Sequence, residues 1–112
     1  MTGNYSSCGS ITITGGTVIA TGGDFGAGIG SGYGGSVSDI TLSGGTITAV
    51  AGKDENYGTL MDAIGNGNLG SCGNITITKG VTSVTVTGDI GGAAGYATGT
   101  VTIEEGANVI RQ

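Results

Sequence analysis

The chain has 112 residues, 27 of them glycine and none proline, with 10% charged side chains and a formal net charge of −5. Its three basic residues, Lys53, Lys79 and Arg111, offer no surface to neutralise phosphates, so neither nucleic acid nor anionic membrane is an expected partner. Collagen is excluded because glycine does not fall at every third position, membrane insertion because no apolar run is long enough, and plain disorder because Val, Ile and Thr alternate strictly.

One domain is expected over residues 1–112. The pattern opens at residues 10–20, Ser-Ile-Thr-Ile-Thr-Gly-Gly-Thr-Val-Ile-Ala, which read as two alternating strands about a glycine pair. A glycine-rich stretch with Ala27 and Ile29 follows. Residues 39–49, Asp-Ile-Thr-Leu-Ser-Gly-Gly-Thr-Ile-Thr-Ala, repeat the first motif, and a polar insertion at 52–58 leads to Ala63 and Ile64. The motif returns, altered, at 74–80, followed by Val84, Val86 and Ile90, and a remnant stands at 100–106. Equivalent residues Ile11, Ile40, Ile75 and Val101 are separated by 29, 35 and 26 positions.

A repeat of this length cannot bury its apolar face alone and must stack on its neighbours. Three short strands per period, joined by glycine corners, predict an all-β, right-handed parallel β-helix, a solenoid of three to four coils. Inward columns would run Ile11, Ile40, Ile75, Val101 and, beside them, Ile13, Leu42, Ile77, Ile103. An antiparallel sandwich with Gly-Gly hairpins is the alternative, but it leaves the third apolar patch of each period unexplained.

The segment Gly26-Ala27-Gly28-Ile29-Gly30-Ser31-Gly32, with the strand and the Gly-Gly-Thr-Ile-Thr-Ala of residues 44–49, resembles the glycine-rich β-helical repeats of bacterial cell-surface and secreted proteins. Such repeats are common in large chains of anaerobic gut Firmicutes. The chain is also similar to carbohydrate-binding β-helix proteins related in fold to pectate lyases. The resemblance covers residues 8 to about 91 and implies an extracellular or cell-surface setting, with adhesion or glycan binding as its usual work. No binding residue of the family is carried over, because no motif marks ligand positions.

The residues themselves narrow the chemistry. Histidine is absent, which removes Ser-His-Asp and Cys-His nucleophiles and His-ligated metals. No acid pair is singled out for glycosidase work, and the bases are scattered singles, so an enzyme is not expected. Sugar rings stack on exposed aromatic faces, which makes Tyr33 and Tyr57 candidate glycan contacts, with Lys53, Asp54, Asn56 and Asp62 around the polar insertion. Asp24, Asp54 and Asp89 follow the second strand of their periods and form the candidate carboxylate edge for Ca²⁺, against the plainer reading of solubilising corner residues. Cys8 and Cys72 hold equivalent places, with Val37 between them. Two strand steps, about 9.6 Å, exceed disulfide reach, so reduced, buried thiols are expected.

The expected function is a non-enzymatic extracellular module for adhesion or for binding a polysaccharide or surface glycan. The alternative is a structural stalk, either a piece of a longer protein or a homo-oligomer stacking end to end through uncapped coils. A third, weaker candidate is ice binding, prompted by the outward column Thr12, Thr41, Thr76 and Thr102; threonine's strand preference explains that column equally well.

Overall fold

The computed structural model describes residues 7–23, 25–53, 61–67, 70–91 and 99–112. Runs of β-branched residues on a period of two form strands because alternate side chains then share one buried face. Among the described residues all regular structure is β, and every strand pair is parallel. The antiparallel sandwich is thereby ruled out.

Three ladders carry the chain. In the first, the two-residue strands β1 (Ser7–Cys8), β4 (Ser36–Val37) and β7 (Ser71–Cys72) lie side by side. In the second, β3 (Ile29–Gly30), β6 (Asp62–Gly65) and β10 (Asp89–Ile90) do the same. The third and longest sets β2 (Ile11–Thr21) against β5 (Ile40–Val50). On the far side of β5 lie β8 (Ile75–Ile77) and β9 (Ser83–Thr87), followed by β11 (Val101–Ile103) on β8 and β12 (Val109–Arg111) on β9. Each strand thus meets its own equivalent from the next pass of the chain. Amides bridge the passes at the strand starts, Ile11 N–H to Asp39 at 2.8 Å, Ile40 N–H to Asn74 at 2.9 Å and Ile75 N–H to Thr100 at 2.9 Å.

The register places Ile11, Ile40, Ile75 and Val101 in one column, and Ile13, Leu42, Ile77 and Ile103 in another. Val18, Ile47, Val84 and Val109 form a third, while Ile29, Ile64 and Ile90 line the second ladder. Ile29, Ile40, Leu42, Ile47, Ile64, Ile75, Ile77 and Val84 are wholly buried. Each such side chain contributes about 1.5–3 kcal/mol through its apolar area, so like stacked on like supplies the core without aromatic bulk.

Two details differ from the expectation. The Gly-Gly pairs at 15–16 and 44–45 are not corners; β2 and β5 run through them as single 11-residue strands. The reason is close approach. A Cβ on Gly44 would run into the Thr14 carbonyl, and one on Gly45, at φ +90°, would stand 2.6 Å from the Gly16 oxygen. In the third pass, where Lys79-Gly80 replaces the pair, the strand breaks into β8 and β9, and the fourth pass is likewise broken into β11 and β12. The second difference is the fourth member of the Val18 column, Val109, which the altered spacing near the C-terminus conceals.

Candidate functional site

Alternation that sends isoleucines inward sends hydroxyls outward. On the long ladder Thr12, Thr41, Thr76 and Thr102 stand in register on the outer face. Further along come Thr17, Thr46 and Ser83, then Ile19, Thr48, Thr85 and Ile110, then Thr21, Val50 and Thr87. These side chains are exposed or half-buried. Strand spacing puts neighbours about 4.8 Å apart across the ladder, and about 6.6 Å apart along a strand. The result is a regular, nearly uncharged surface of hydroxyls, each able to donate and accept a hydrogen bond, interrupted by Ile19, Val50 and Ile110. Beside the Thr12 column the hydroxyls fall out of register, because Thr14 pairs with Gly44 rather than Ser43. Ser43 Oγ instead donates to the Ile13 carbonyl at 3.4 Å.

The polar corner is arranged otherwise than the sequence suggests. Asp62, expected at the rim of an insertion, is wholly buried in β6. Its Oδ2 accepts the Asn66 N–H at 2.8 Å, and Asn66 and Ser31 are wholly buried nearby in sequence or ladder. Ser31 Oγ accepts the Gly67 N–H at 2.8 Å and so ties two passes together. A carboxylate enclosed in this way holds a turn and does not meet a ligand from solvent. Tyr33 is half-buried, with its ring edge-on to Phe25 at 5.4 Å and 66°. Lys53 is exposed, and its carbonyl accepts the Phe25 N–H at 2.9 Å. The ladder neighbour of the exposed Asp89 is Asp62. Asp24, Asp54, Asn56 and Tyr57 lie outside the described residues, and with them most of the Ca²⁺ edge and the second aromatic contact. Among the described residues no group of three or more acids or cysteines is placed to hold a metal ion.

One device escaped the sequence analysis. Asp39 Oδ1 accepts the Asn74 N–H at 2.9 Å, and Asn74 Oδ1 accepts the Thr100 N–H at 2.9 Å. The residue ahead of each strand thereby reaches across to the backbone of the next pass. The signal was available, since Asp39 and Asn74 both immediately precede their column isoleucines. In the first ladder Cys8 pairs with Val37 and Val37 with Cys72, so the two cysteine positions are two steps apart. Cys72 is a free, buried thiol.

Residues 11–33 and 40–68 match a family model described as a beta helix repeat. The two matched stretches contain β2 with β3 and β5 with β6. No curated protein and no solved structure matches the chain significantly. No helix among the described residues is long and apolar enough to cross a membrane.

Proposed function

Taking as premise a β-helix repeat protein with a hydroxyl-covered outer face, we propose that the chain is a non-enzymatic module of a bacterial surface that holds a polysaccharide. The observation that carries this is the in-register array of Thr and Ser on the long ladder. A polymer of sugar units meets such a surface at many equivalent points, and weak contacts at a fixed spacing add. The absence of histidine supports a binding rather than a catalytic role. The glycine-rich resemblance supports an extracellular setting. The winding is taken as right-handed, through three to four coils, on the general preference of parallel crossovers.

Retention on insoluble polysaccharides and on a glycan array tests the proposal. The chain is expected to be retained by at least one polymer, and Thr48→Lys or Thr85→Lys, at the centre of the face, to weaken that retention at least tenfold. Lys53→Ala is expected to leave it within twofold. Silence across plant, host and bacterial glycans removes the proposal. Thermal hysteresis without glycan retention would reassign the same face to ice.

A further inference from the structure

We infer that the two outer edges of the long ladder pair with each other between copies, so that the chain stacks head to tail. Among the described residues no strand pairs with the outer edge of β2, nor with the outer edges of β11 and β12. Such edges present a row of backbone donors and acceptors that template a further strand. Among the described residues four large apolar side chains are exposed, Ile19 at 75%, Val101 at 38%, Ile103 at 36% and Ile110 at 43%. All four lie on these end strands. The inward equivalents of Val101 and Ile103 in the middle passes, Ile40, Leu42, Ile75 and Ile77, are wholly buried, while Ile19 and Ile110 stand in an outward column whose middle members are Thr48 and Thr85.

The occupant is a second copy because the two ends match each other in register. Continuing the columns by one step sets Ile11 against Val101, Ile13 against Ile103 and Val18 against Val109. Ile19 and Ile110 belong to one outward column, through Thr48 and Thr85, and in the stack each covers the other. The side-chain device also continues. Asp39 serves Asn74 and Asn74 serves Thr100, so the Thr100 hydroxyl comes next to the backbone at Ser10 of the following copy. A contact between two different ends is heterologous and gives open filaments.

One residue opposes the contact. Arg111 follows Ala20, Ala49 and Val86 in an inward column, and a charge aimed inward is a recognised way to blunt a sheet edge. Stacking is therefore reversible and concentration-dependent, with Arg111 setting its strength.

The register is tested by a cross-link. In a Cys8→Ser, Cys72→Val background, Ile19→Cys and Ile110→Cys are combined in one chain. Within a copy these positions are three strand steps apart, about 14 Å, beyond the roughly 7 Å that a disulfide spans. Across the stacked contact they are one step apart. Oxidation is expected to give a covalent series of dimers, trimers and longer chains, and each single-cysteine variant no more than dimers. Sedimentation of the cysteine-free chain is expected to show mass growing with concentration. Ile19→Lys should abolish that growth, and Arg111→Val should shift it to concentrations about tenfold lower or more, since the buried-charge penalty is removed. Circular dichroism checks that each variant keeps its β-structure. A strictly monomeric chain, in both the parent and Arg111→Val, overturns the inference, as does a double-cysteine chain that stops at dimers. Glycan retention by the dilute, unstacked chain tests the proposed function separately, because Thr48 and Thr85 lie on strands interior to the ladder.

Discussion

Cys72 stacks beside Val37 in the ladder of two-residue strands and is only 7% exposed. Burial first, and then the negative charges of Asp62 and Asp39, push its thiol up to about 11 from 9.0. The thiol is neutral when protonated, so the folded chain keeps this proton at a pH where the unfolded chain has lost it. The associated stability is complete below about pH 9 and is lost as pH rises towards about 11. The melting midpoint should therefore fall across that window, and Cys72→Val should remove the Cys72 share of the fall. Maleimide labelling of Cys72 in the folded chain should also be much slower than after unfolding. Equal rates would place the thiol at the surface. The column shared by Cys8 and Cys72 was legible in the sequence because Ser-Cys-Gly recurs, whereas the acids that act on Cys72 come from the preceding pass and could not be read from spacing.

At the scale of the strand, the glycine pairs show where pattern stops being informative. A glycine is needed both where φ is positive and where another backbone comes close, and the letter is the same in each case. In Gly44 the cause is approach to the Thr14 carbonyl, one pass away. At Gly15, the corresponding place in β2, a Cβ would meet nothing within 4 Å. Gly44→Ala is therefore expected to cost roughly 1–3 kcal/mol, as overpacking against fixed backbone does, or more. Gly15→Ala should change stability by less than about 1 kcal/mol, the ordinary scale of a glycine-to-alanine exchange. Chemical denaturation of the two variants checks the contrast, and equal losses would mean that the pair acts through local conformation alone. The strands themselves were legible from alternation, but the single continuous β5 was not, since a turn and a through-going bulge call for the same residues.

For the whole molecule, stability follows the number of neighbouring passes that each one touches. Ile47 is wholly buried between Val18 and Val84, while Ile13 is half-buried with Leu42 on one side only. Ile47→Ala is expected to cost about 2–5 kcal/mol, the range for a large-to-small change in a closed core. Ile13→Ala should cost roughly 1–2 kcal/mol, since much of its area already faces water. Urea unfolding of the dilute chain measures both. Under the stacking contact the two costs should converge at high concentration, because Ile13 then gains a second neighbour.

By itself the sequence determined the parallel ladder, its inward columns and the threonine face, because a period of two within each strand and about thirty residues between equivalents leave few ways to bury isoleucine. It did not determine the polar corner. Asp62 looked like a rim carboxylate in a polar insertion, yet it closes a buried turn with Asn66. Burial at a given position depends on which passes cover it, and that is settled only when the chain is wound. The same holds for Ile19 and Ile110, ninety-one positions apart in sequence. Only the tertiary structure puts them in one outward column, on opposite edges of the ladder, where both stay in water.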